Sequence, residues 1–214
     1  MARMTTVQKT NLNNIREAVR VVDLAGRIDN LEFGTTPSGV SGVVGRGLTT
    51  YTTTPVVGTA VYVHAAITLT SSTQTVTTSI TNPDWPRIVT IKGNASGNAG
   101  NVTITGTDIA GAALTDTIAL NGATEVLGVK AFKTVTSIAL PAETHAGTDT
   151  CSIGVGNKVG FPVSIPNASL VVAKSFNLLV DSSTITVGTT AASSLAAPAG
   201  TFDGAKLYEL TFIS

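Results

Sequence analysis

Near the start of the chain, apolar residues recur at Leu12, Ile15, Val19, Val22, Ile28 and Leu31, three or four positions apart, which is the spacing of one helix face. The pattern predicts an amphipathic helix over residues 11–32, or two short helices divided near Gly26, with Thr10 or Asn11 as cap and Gly34 and Pro37 as the stop. A lone helix of this length is marginal in water, so its stripe needs a surface to lie on, either its own β domain or a neighbouring subunit. Residues 34–55, GTTPSGVSGVVGRGLTTYTTTP, have no sustained periodicity and read as an extended Gly/Thr-rich linker.

After Pro55 the period changes to two. Short runs of β-branched residues alternate with turn signals, which predicts strands at residues 60–70, 73–80, 87–92, 102–105, 114–120 and 132–140. Further strands are expected at 150–155, 158–161, 170–173, 177–180, 184–187 and 206–213. The stretch GNASGNAGN at 93–101 reads as an exposed loop, Asn121-Gly122 as a hairpin turn, and AASSLAAPAG at 191–200 as a loop. The organisation that follows is a helical arm at 1–33, a linker at 34–55 and a mainly β domain at 56–214. A strand count of this order favours a β-sandwich or jelly-roll-like domain over a single open sheet.

Composition sharpens this picture. Only 12% of the 214 residues are charged, against about 25% in an ordinary soluble domain. The surface must therefore be largely uncharged, and much of it hydroxyl-coated or covered by partners. Thirteen basic and thirteen acidic residues cancel, and no Lys/Arg cluster could neutralise a run of phosphates, so nucleic acid is not an expected partner. No stretch is apolar for long enough to span a bilayer, and MARMTTVQ has no apolar signal core, so neither a membrane nor export is expected.

Little in the chain suggests chemistry. The two histidines, His64 and His145, lack neighbours at metal-ligand spacing, and read as a hydrogen-bonded strand residue and a solvated loop residue. Glu143, His145 and Asp149 in one loop form at most a weak cation site. Cys151, the single cysteine, reads as a packing residue. There is no nucleophile elbow, the Gly-rich loop lacks the Lys-Ser/Thr of a phosphate cradle, and aromatics are too few for a typical polysaccharide-cleaving cleft. The Asn-x-Ser/Thr triplets at Asn94, Asn101 and Asn167 carry no weight without a secretion signal. No catalytic residue, cofactor or metal is expected. The segment NPDWPR at 82–87 brackets the only tryptophan with two prolines; Trp85 either seals one end of the β domain or makes a surface contact.

The run NPDWPRIVTIKG, followed by GNVTITGTDIAGAALTDTIALNG and GVKAFKTVTSIALP, resembles a module of structural proteins encoded by tailed bacteriophages, over residues 82–141. The resemblance implies a non-enzymatic virion component assembled in the host cytoplasm. A head decoration (cement) protein fits first, and a tail or head-fibre component that binds a host surface polymer is the alternative. It also implies contacts with the major capsid protein and with copies of itself, a trimer among the forms considered, with the apolar stripe of the arm docking on a neighbour.

Overall fold

A computed structural model describes residues 47–214. The arm residues Leu12, Ile15, Val19, Val22, Ile28 and Leu31, and the first part of the linker, lie outside the described residues. The chain divides into a main unit, residues 50–211, and a second unit of residues 1–49 with 212–214. In the described part of the second unit, Gly47 and Ser214 exchange backbone hydrogen bonds of 3.1 and 2.9 Å.

Strands run in the order β1 (Leu48–Thr53), β2 (His64–Thr68), β3 (Gln74–Val76), β4 (Arg87–Gly93), β5 (Asn101–Thr107), β6 (Ala113–Ala119) and β7 (Val126–Phe132). They continue as β8 (Thr134–Leu140), β9 (Thr150–Gly160), β10 (Val171–Phe176), β11 (Leu179–Val180), β12 (Thr184–Thr186), β13 (Leu195–Ala197) and β14 (Tyr208–Ile213). A short 3-10 turn, Ala168–Leu170, precedes β10 and is capped by the Asn167 side chain. The described residues are mainly β, as expected, in three sheets ordered β1-β14-β10-β11, β12-β13-β9-β4-β7 with β2 also on β9, and β3-β8-β5-β6.

Alternation explains why β5 and β8 form. In β5, Val102 and Ile104 are buried while Thr103, Thr105 and Thr107 face outward, and β8 buries Val135, Ile138 and Leu140. These meet Val89 and Ile91 of β4 and Cys151, Ile153 and Val155 of β9 in one continuous core. In β9, Gly154 is required because residues 59–60 cross directly over it, and a Cβ there would collide with the Thr59 carbonyl. A second nucleus is aromatic: Phe176, Phe202 and Tyr208 stack with centroids 5.6 to 6.1 Å apart. The Tyr208 hydroxyl donates to Ser183 Oγ at 2.9 Å, and Ser183 Oγ donates in turn to Asp181.

Four elements differ from the sequence expectation. Residues 48–53, assigned to the linker, form β1, because its threonines pair across the strand, with Thr50 Oγ1 3.3 Å from Thr211 Oγ1. Residues 126–132 form β7, which was not expected as a strand. It bulges opposite β4 between Ile88 and Thr90, and the N–H groups of Val129 and Lys130 released there donate to the buried Asp116 carboxylate at 2.9 and 3.3 Å. Within the stretch read as a loop, Leu195–Ala197 forms β13, whose Leu195 and Ala196 are buried between β12 and β9. The expected break between 155 and 158 is absent, because β9 runs through it with a bulge against β4 between Arg87 and Val89.

Candidate functional site

The functional candidates are surfaces. The first is a two-loop platform. Because β4 pairs β9 up to Gly93↔Cys151 and β5 pairs β8 up to Thr103↔Ala139, the loops 94–100 and 141–149 leave the same end of the domain. Asn94 joins them, its Nδ2 donating to Thr148 O at 2.8 Å while its Oδ1 accepts from Thr150 N at 2.8 Å. Thr144 Oγ1 lies 3.2 Å from Gly97 O. The His145 ring lies against Gly97, where a Cβ would come within 2.9 Å of it, and the φ of +95° also favours glycine there.

Asp149, fully buried, organises the second loop. Its Oδ2 accepts from Thr144 N, Thr144 Oγ1 and His145 N at 2.7, 2.8 and 2.8 Å. His145 Nδ1 donates to Oδ1 at 3.0 Å. Burial acts to raise the Asp149 pKa, but these donors outweigh it and hold the carboxyl at about 2. Glu143 is occupied separately, accepting from Gly147 N at 2.5 Å. The trio considered as a weak cation site thus shapes the loop, and among the described residues no cluster of three metal-ligating side chains occurs. Beside the platform lies an open groove of about 460 Å³ lined by residues 96–99 and 120–124. Asn98 borders it and carries a buried Oδ1 with no hydrogen-bond partner among the described residues.

The second surface is the outer face of the sheet β3-β8-β5-β6. The register places Thr103, Thr105 and Thr107 beside Thr117, Thr115 and Ala113 of β6, and opposite Ala139, Ser137 and Thr134 of β8. Thr75 of β3 continues the row past Ala139. Hydroxyls bridge the strands, Thr103 to Thr117 at 3.2 Å and Thr107 to Thr134 at 2.6 Å. No charged side chain falls at these outward positions. Such a face costs less to remove from water than a charged one, because four of its hydroxyls are already paired with one another and it holds no ion to desolvate.

Trp85 is half-buried at the 82–87 corner, with the Tyr51 ring edge-on to it at 6.4 Å. Behind it, Arg87 is completely buried. It donates through Nε and Nη2 to Gly156 O at 3.0 and 2.7 Å, and through Nη1 to Val56 O at 2.8 Å and Asp84 Oδ1 at 3.1 Å. Sequence reasoning passed over this residue; two prolines with an aspartate three positions before an arginine were the available signal. His64 Nδ1 lies 2.8 Å from Ala65 O. Cys151 is buried in the core, and burial pushes its thiol up to about 12.

The third surface is the β10–β11 hairpin. Ser175 pairs with Val180 and Phe176 with Leu179, leaving Asn177-Leu178 as the two-residue turn. Both turn residues have positive φ, +52° and +65°, as a tight hairpin turn of primed type requires. Asparagine tolerates this and leucine does so at a cost of about 1–2 kcal/mol. The tip is apolar and open, with Leu178, Leu179 and Val180 exposed by 79, 70 and 98%.

No protein-family model, no curated protein and no solved structure matches the chain. Among the described residues no helix is long and apolar enough to cross a membrane.

Proposed function

We propose that this chain is a non-enzymatic structural component of a tailed-bacteriophage particle, a head decoration protein that strengthens the shell through contacts with the major capsid protein. The observation that carries the reading is the uncharged Thr/Ser/Ala face of the sheet β3-β8-β5-β6, which suits burial against another protein and offers nothing to a charged substrate. The likeness of residues 82–141 to phage structural modules points the same way. Because two of the sheets share one core, we read the main unit as a β-sandwich. In this reading the stripe Leu12 to Leu31 docks on a neighbouring subunit, and many weak contacts add up over the shell.

A second reading, a tail or head-fibre component that binds a host surface polymer, draws on the two-loop platform. The loops 94–100 and 144–148 are joined by Asn94 and Thr144 into one ordered surface beside an open groove. A neutral hydroxylated polymer suits a groove lined with small residues and amides better than a charged one does.

The test is to add purified protein to phage heads that lack it and image the particles by cryo-electron microscopy. Ordered density at every equivalent position of the shell lattice is the expected result. Bare shells overturn the decoration reading, and density confined to the tail or vertices transfers support to the second. Deleting residues 1–33 should lower occupancy while the β domain stays folded; unchanged occupancy refutes the role of the arm.

A further inference from the structure

We propose that the β10–β11 hairpin is a self-association edge, pairing β11 of one molecule with β11 of a second copy across a twofold axis centred on Val180. The inference stands on the hairpin alone and does not require the virion reading.

Four observations carry it. First, β11 ends the sheet β1-β14-β10-β11, so among the described residues one of its two sides has no neighbouring strand. Second, the hydrogen-bond phase of the hairpin is fixed. Asp181 N donates to Lys174 O at 2.9 Å, which makes Lys174 and Asp181 a hydrogen-bonded pair. Bonded and non-bonded pairs alternate in an antiparallel ladder, so at Ser175↔Val180 the N–H and C=O of Val180 point away from β10, toward the open edge. A twofold axis through this point lets each Val180 N–H donate to the C=O of Val180 in the other copy, an arrangement that is self-complementary by construction.

Third, the edge lacks the protection that sheet edges usually carry. Charged side chains, prolines or bulges normally block edge-to-edge pairing, yet residues 175–180, SFNLLV, contain none of them. The two flanking charges are turned inward. Lys174 Nζ donates to Ser183 O at 2.9 Å, and the buried Asp181 accepts from Ala199 N at 3.2 Å. Lys206, the other cation near the hairpin, lies 5.9 Å from the Phe176 ring and is paired with Asp203 at 3.0 Å. With no unpaired cation beside the tip among the described residues, an apolar protein surface is a better match than an anionic lipid surface.

Fourth, the area is sufficient for a weak dimer. Taking full residue areas of about 165–190 Å², Leu178, Leu179 and Val180 expose about 450 Å² per copy, so these residues can bury at most about 900 Å² in a twofold contact, the lower end of specific interfaces. A contact of this size belongs with weak, concentration-dependent associations. Leucine in a left-handed turn position is consistent with this role, because the side chain gains nothing from its own fold at 79% exposure.

Sedimentation velocity of the full chain from about 10 to about 200 μM, compared with Val180→Lys, tests the proposal. The wild type should show a mass that rises toward two chains, and Val180→Lys should stay monomeric, weakened at least about tenfold, with unchanged circular dichroism. An independent variant, Val180→Cys, should oxidise to a disulfide-linked dimer, since paired residues of this type have Cα atoms about 5.5 Å apart, within disulfide range. Wild-type monomer at all concentrations, association undiminished in Val180→Lys, or no cross-linked Val180→Cys dimer each overturns it.

Discussion

Arg87 gives the sharpest test of how the main unit is held together. Its guanidinium has no solvent exposure and satisfies the carbonyls of Val56 and Gly156, with Asp84 as the one carboxylate bonded to it among the described residues. It also lies 5.4 Å from the centre of the Phe202 ring. Arg87→Ala removes all of these donors. Each buried acceptor left unmade costs about 1–3 kcal/mol, and the ring contact adds about 1 kcal/mol. These terms overlap, so the expected loss is that of breaking a buried pair from one side, about 3–5 kcal/mol. Arg87→Met restores most of the volume and none of the donors, so it separates packing from hydrogen bonding; about 2–4 kcal/mol should remain. Urea unfolding followed by the fluorescence of Trp85, the single tryptophan and two residues from Arg87, reads both variants as a lower midpoint at unchanged slope. A loss under about 1 kcal/mol for Arg87→Met would refute the reasoning, because it would mean that the two carbonyls find other donors.

Three further outcomes are expected. Cys151, buried and with its thiol held at about 12, should resist alkylation at neutral pH in the native protein and react fully in urea, read by mass spectrometry. Asp149, held at about 2, is depressed below its unfolded value, so its contribution is present above about pH 4 and lost as pH falls toward 2; the melting temperature should fall through that window in the wild type and show less of this dependence in Asp149→Asn. Tyr51 has a buried hydroxyl with no partner among the described residues, and burial raises its pKa to about 12, so Tyr51→Phe should be neutral or stabilising by up to about 1 kcal/mol in the same urea assay.

What the sequence made legible follows from where alternation survives in the fold. β5 and β8 have one face in the core and one in water, so their Thr/Ile alternation is visible in the chain and their positions were expected within two or three residues. β7 was hidden because its bulge breaks the period of two, leaving Leu127 and Val129 exposed and Gly128 buried, the reverse of a typical strand. β13 was hidden by its residues: Leu-Ala-Ala fits a tight space between two strands, and small residues next to serines resemble a loop. The two loops of the platform were expected individually from their Gly, Asn and Asp content. Their union through Asn94 depends on the pairing of β4 with β9 and β5 with β8, which local periodicity does not encode. The hairpin edge was least visible, since Asn177-Leu178 is not a usual turn pair and only the structure reveals the positive φ at both residues.

One use of charge connects these observations. Arg87, Asp116, Asp149 and Asp181 are all buried, and each meets backbone groups that local irregularities would otherwise leave unsatisfied: the Val56 and Gly156 carbonyls, the bulge in β7, the loop after Glu143 and the amide of Ala199. In a chain with 12% charged residues, ions used inside are not available outside. Charges on sheet faces and edges are the usual protection of β proteins against association. Here the outer face of the sheet β3-β8-β5-β6 has none at its outward strand positions, and neither does the tip of the β10–β11 hairpin. The same economy that permits an irregular β core to fold leaves those two surfaces without charge. That is the physical basis on which we propose that the face and the edge, which differ in chemistry, serve the same kind of role, as contacts within an assembly.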